Sequence, residues 1–172
     1  RFDSRPLFAL ALGTFAAWRG VAVSWGAVTG WIDRAADAVR WNAIACGVLF
    51  LVLAVGLRRL RRKPHFAPVA EWLGWLLALG ALLAGGLQGE SEGAMAWAAA
   101  MLAVGCALAT GAFRWRRFGL FALGVLAAYV ALTRLLAGIV NEPFLGCFWL
   151  VGSSLALLAG LVAVQRQMRE RP

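Results

Sequence analysis

The sequence carries little charge and few of the side chains that perform chemistry. Of its 172 residues, 15% are charged, and it has one histidine, one tyrosine and one lysine. A soluble domain carries roughly 25% charged and about 45–50% apolar residues. Here 62% of the residues are hydrophobic and the mean hydropathy is +0.77. A water-soluble globular domain is excluded, and so is disorder, which needs low hydrophobicity. The cysteines Cys46, Cys106 and Cys147 stand singly in separate apolar runs, so there is no CxxC redox pair. Isolated cysteines of this kind act as small hydrophobes.

These scarcities also limit the enzymology. His65 lies in the basic loop Lys63-Pro64-His65-Phe66, outside any apolar run. Haem ligation and an intramembrane serine nucleophile both call for a histidine within a span. Ser153 and Ser154 sit in an apolar run without one, and are expected to bond to their own helix backbone. No His, Cys, Asp and Glu cluster has metal-ligand spacing, no Gly-rich phosphate loop occurs, and nothing calls for a cofactor. Coupled cation carriers place carboxylates within spans. The one candidate is Glu71, near the end of an apolar run, where a nearby basic partner is expected. The reading is therefore non-enzymatic.

What the chain does have is apolar runs, and a helical span needs ~20 such residues. Six runs cover about residues 7–25, 41–57, 69–87, 94–113, 118–140 and 144–164. The first is interrupted by Arg19 and lacks the cleavage pattern of a signal peptide, so it is read as a true span. A polar connection is expected from Asp33 through Asp37 to Arg40, and Asn141-Glu142-Pro143 makes the last turn. The expected fold class is all-α: a polytopic six-transmembrane-helix bundle of three hairpins. It forms one domain over residues 1–172, with no soluble domain.

The formal net charge is +9. Thirteen Lys and Arg residues fall on one side of the expected spans: Arg1, Arg5, the Arg58–Lys63 run, Arg114, Arg116, Arg117 and three in the tail. Only Arg34 and Arg40 fall on the other side. The positive-inside rule then puts both termini in the cytoplasm, N-in and C-in. This topological charge gives no reason to expect nucleic acid as a partner. Sixteen of the 17 basic residues are Arg, a bias of GC-rich bacterial genomes, and the expected location is a bacterial inner membrane.

Arg19 and Arg134 are the sharpest candidates for a site. An Arg at the bilayer centre costs ~2.5–3.5 kcal/mol on insertion scales. At 1.5 Å per residue, Arg19 lies ~18 Å into its span and Arg134 ~24 Å into its own. One reading has both facing an outward-open cavity that binds an anionic group. The other has Arg134 snorkelling or pairing with Glu142, and Arg19 bonded to backbone carbonyls. Arg58, Arg59, Arg61, Arg62 and Lys63 form a stop-transfer signal and a contact for anionic lipid, at about 1 kcal/mol per cation. Small residues let membrane helices approach. Ala99, Ala103, Ala107 and Gly111 form one such stripe, and Gly152, Ala156 and Gly160 another. They are expected to pack helices within the bundle or against another subunit.

The C-terminal third has a further character. Arg117-Phe118-Gly119-Leu120-Phe121-Ala122-Leu123-Gly124 leads to Tyr129 and Leu132, then to Phe144-Leu145, Gly152, Gly160 and Gln165-Arg166. Over about 50 residues this resembles the final hairpin of uncharacterised bacterial multi-spanning inner-membrane proteins. The resemblance implies a helical bacterial membrane protein, and it supplies no catalytic residue. The function expected from the whole chain is that of a structural or accessory subunit in a larger membrane assembly, with the lipid bilayer, anionic lipids and protein partners around it. The alternative is a small transporter or channel for an anion or lipid, using the intramembrane arginines. A pore should show a continuous polar face, whereas Thr14, Ser24, Cys106, Thr110, Thr133 and Ser153 are isolated, which favours the subunit.

Overall fold

Runs of Ala and Leu favour helix, and Pro, Gly and polar clusters interrupt them. The computed structural model describes residues 4–21, 33–60, 64–87, 92–137 and 143–170. Helix α1 is Arg5–Ala16, with Pro6 in its first turn, where a missing N–H leaves no bond unmade. It runs on into a π-helical turn, Ala17–Val21. Helix α2 is Asp33–Arg59, and a 3-10 turn at Pro64–Phe66 leads into α3, Ala67–Gly86. Then come α4 (Glu92–Arg114), α5 (Phe118–Ala137) and α6 (Pro143–Glu170). Among the described residues there is no strand, so the protein is all-α.

Four segments are long and apolar enough to cross a membrane: Asp37–Arg59, Ala67–Gly86, Gly93–Arg114 and Phe118–Ala137. At 1.5 Å per residue they rise ~30–35 Å, matching a ~30 Å hydrocarbon core. Within α6 a shorter apolar segment covers Gly152–Arg166. The first expected span overlaps α1 and the π-helical turn, and its remainder lies outside the described residues. One expectation is corrected. Asp33–Arg40 is not a connection but the first two turns of α2. Asp37 and Arg40 stand one turn apart and form an ion pair, so buried Arg40 enters the helix neutralised.

The side chains are distributed inside out relative to a soluble protein. On α2 the buried positions are Ala43, Cys46, Phe50 and Ala54, while Val48, Leu49, Val52 and Val55 are exposed. Apart from Phe50, the buried residues of α2 are small and its branched ones face outward, as expected where lipid rather than water surrounds the helices. Within the chain, only 22–39% of each of the four candidate spans is buried.

The chain divides into two compact units, Arg1–Ala84 and Gly85–Pro172. In the first, Leu12 and Ala16 of α1, Phe50 and Ala54 of α2, and Ala70 of α3 form the core, with Phe8, Leu73 and Leu77 packed on it. Phe8 also stacks on Phe66 at 4.6 Å between ring centroids. Helices α2 and α3 touch backbone to backbone at Gly47 and Gly74. A Cβ on Gly47 would lie 2.8 Å from the Gly74 carbonyl oxygen. In the second unit, α4 buries Ala94, Ala98, Met101, Gly105, Leu108 and Ala112, and α5 buries Leu120, Gly124, Ala127 and Ala131. These alternate in steps of four and three, the spacing of a coiled-coil seam. At its centre a Cβ on Gly124 would lie 2.6 Å from the Ala109 nitrogen and 2.8 Å from the Gly105 oxygen.

The expected stripes are not these seams. Ala99, Ala103 and Ala107 are exposed and Gly111 is half-buried. Gly152, Ala156 and Gly160 are exposed too. The reason is helical geometry. At 100° per residue, Ala99 stands about 100° around α4 from the seam residue Ala98, and the stripe's drift of about 40° per step carries Ala107 about 180° from it. Alternating steps of four and three hold a straight face.

The contact predicts its own disruption. Gly124→Ala places a methyl against backbone that cannot rotate away, and should destabilise the protein by about 1–3 kcal/mol in reversible detergent unfolding. Gly80 has nothing within 4 Å of its Cβ position. Gly80→Ala should instead be neutral or stabilising by up to about 1 kcal/mol.

Candidate functional site

Arg58 lies in the last turn of α2 and Glu71 in the second turn of α3. Arg58 Nη2 donates to Glu71 Oε2 in an ion pair. The Glu71 side chain is 12% exposed and that of Arg58 39%, so the carboxylate is enclosed and the cation half in the open. Glu71 thus has the basic partner expected of it. Of the basic run, Arg58 turns toward Glu71 and Arg59 is exposed. Arg61, Arg62 and Lys63 lie outside the described residues.

Arg134 has a partner that the sequence did not suggest. Its Nε donates to the carbonyl oxygen of Gly86 at 3.0 Å, and the side chain is half-buried. Gly86 ends α3 and, with Gly85, belongs to the second unit. The last carbonyls of a helix have no intrahelical donor and form the negative end of its dipole. Arg134 supplies both a donor and a positive charge there. Glu142 lies outside the described residues.

Arg19 sits in the π-helical turn, in the first unit, and is exposed beside exposed Trp18. Single π-helical turns are rare and frequently occur at functional sites. Arg19 and Arg134 belong to different units.

Several hydroxyls within the helices are hydrogen-bonded. Thr14 and Thr110 donate to the carbonyls of Leu10 and Cys106, one turn back. Tyr129 on α5 bridges to both Ser153 and Ser154 on α6, each at 2.9 Å. Tyr129, the only tyrosine, was missed as a tether between helices. Its place inside a span, away from the interface that tyrosines favour, was the available signal. His65 lies against Phe66, with ring centroids 4.2 Å apart. Cys46 is buried and Cys106 exposed, both as free thiols. Among the described residues no group of three His, Cys, Asp or Glu side chains is placed to hold a metal.

One exposed cluster remains, at the corner between α4 and α5. The Arg116 N–H bonds to the Phe113 carbonyl at 3.1 Å and the Arg117 N–H to the Ala112 carbonyl at 2.9 Å. This pattern is a Schellman closure. Its left-handed residue is Arg116, at φ 53°. For an L-residue with a side chain that conformation costs roughly 1–2 kcal/mol, and glycine usually occupies it. Arg114, Trp115 and Arg116 are exposed, and Arg117 is half-buried.

Comparison with known proteins adds no relative: no family model, curated protein or solved structure matches the chain.

The ion pair can be tested by a double-mutant cycle. Arg58→Leu leaves the Glu71 carboxylate enclosed without its cation, and should cost about 1–3 kcal/mol of stability in detergent. Adding Glu71→Leu should recover most of that loss, because a buried ion pair is replaceable by apolar groups. A pair of additive losses would show that the two residues do not interact.

Proposed function

We propose that this chain is a non-enzymatic structural or accessory subunit, packed laterally in a larger membrane assembly. One observation carries the reading. Ala99, Ala103 and Ala107 lie on an exposed face of a membrane-length helix, while the internal seam runs along another face. Lipid fills the space beside a helix without needing small residues. A second helix needs them in order to approach closely. The enclosed polar groups fit the same reading, since Arg58, Glu71, Arg134 and Tyr129 bond within their own units. The charge distribution supports six spans with both termini cytoplasmic, and the composition and the C-terminal resemblance support a bacterial inner membrane and a place among its uncharacterised multi-spanning proteins.

A second reading, a small anion or lipid transporter, draws on Arg19 alone. Its support is a cation exposed on a π-helical turn. Arg134, with Nε on the Gly86 carbonyl, lends it less. On this reading Arg19→Ala abolishes anion flux in proteoliposomes. Flux equal to that of the unmodified protein ends it.

The subunit reading is tested by native mass spectrometry after mild-detergent extraction from the source membrane. A stoichiometric partner of different mass is expected. Ala103→Leu should release that partner while changing stability by less than about 0.5 kcal/mol, as for a surface substitution. A bare monomer or homo-oligomer overturns the reading.

A further inference from the structure

We propose that the π-helical turn at Ala17–Val21 presents Arg19 to the headgroup of an anionic phospholipid. The inference rests on neither functional reading, since a lipid held at Arg19 need not cross the bilayer. Helix α1 buries Leu12 and Ala16 in the core of the first unit. Arg19 lies seven residues past Leu12, which at 100° per residue falls about 20° short of two full turns. An unbroken α-helix would therefore aim its guanidinium into that core. The π-helical turn, with its i→i+5 bonds, rotates less per residue, and Arg19 is exposed instead. Among the described residues no ion pair or hydrogen bond engages it.

Leaving the core is not enough by itself. A guanidinium facing acyl chains is costly too, so the outward position is favourable only where an anion meets it. Trp18, next to Arg19, is 77% exposed, and indole rings settle at headgroup depth. Arg19 stands 14 residues beyond exposed Arg5, ~21 Å along the helix. A hydrocarbon core is ~30 Å thick, so on a helix entering at Arg5 the guanidinium snorkels outward and the headgroup layer dips to meet it. A planar guanidinium bonds a phosphate through two parallel N–H groups. Phe15 and Trp18, with ring centroids 6.0 Å apart, are bulky and exposed, which favours lipid over the close approach of another helix. A headgroup with its own ammonium would bring a second cation to Arg19, so the fit is to lipids of net negative charge.

The full chain tests this by photo-crosslinking in nanodiscs of equal phosphatidylglycerol and phosphatidylcholine with the same acyl chains. Phe15→p-benzoylphenylalanine places a probe one turn before Arg19. Leu126→p-benzoylphenylalanine, at an exposed position of α5, samples the lipid around the other unit. Captured lipid is identified by its mass. The ratio of phosphatidylglycerol to phosphatidylcholine should be about five-fold higher at the Phe15 probe than at the Leu126 probe. Arg19→Gln should bring the Phe15 ratio down to the Leu126 value. Equal ratios at the two probes with Arg19 in place overturn the proposal, because they mean diffuse attraction only. So does a Phe15 ratio unchanged by Arg19→Gln. A protein adduct in place of lipid, when the Phe15 probe is irradiated in cell membranes, also overturns it and gives Arg19 to a partner's carboxylate.

Discussion

Within hydrocarbon, a hydrogen-bonding group has no water to turn to, and this constraint organises the polar chemistry of the chain. Helices satisfy the backbone. Side chains must do the rest locally, and three such arrangements stand out. Thr14 and Thr110 return to carbonyls of their own helices. Arg58 and Glu71 neutralise each other between two helices. Arg134 joins the polar end of another helix at Gly86. A carboxylate or guanidinium left alone at these positions would carry a desolvation penalty of several kcal/mol, which is large against the whole stability of a domain.

The same solvent removes the usual reason for large residues to pack inside. Lipid is as apolar as leucine, so contact area rather than escape from water draws helices together. Gly47 against Gly74 and Gly105 against Gly124 bring backbones together directly. Dispersion attraction falls off within an ångström of optimal contact, so a single added methyl forfeits packing along the surrounding seam. The larger side chains of α2, such as Val52 and Leu49, then face outward.

Much of this was legible in the sequence where the signal is local. Four of the expected spans match membrane-length helices, and Glu71 has the basic partner its position demanded. What escaped was relational. One partner of Arg134 is a backbone carbonyl 48 residues away, and a carbonyl carries no residue-type signature. Asp33–Arg40 read as a connection because its charges were counted singly, although Asp37 and Arg40 share a helix face and cancel. The Ala99–Gly111 stripe was visible, but its fixed step of four drifts around α4, and the true seam alternates four and three. The π-helical turn at Ala17–Val21 has no compositional mark.

A chain whose Arg58, Glu71 and Tyr129 bond to one another or to neighbouring helices meets other molecules through what it presents outward. On α4 these presentations differ in kind along a single helix. Ala99, Ala103 and Ala107 offer shape without charge, which suits another helix. One turn past Gly111, Arg114 to Arg117 offer charge beside exposed aromatic rings, which suits a headgroup. The first surface gains affinity from close approach in hydrocarbon and is insensitive to salt. The second acts through charge at the aqueous boundary, where screening acts over about 8 Å at physiological ionic strength. Binding through the alanine face of α4 should therefore not depend on ionic strength: raising salt should leave a helix packed there in place.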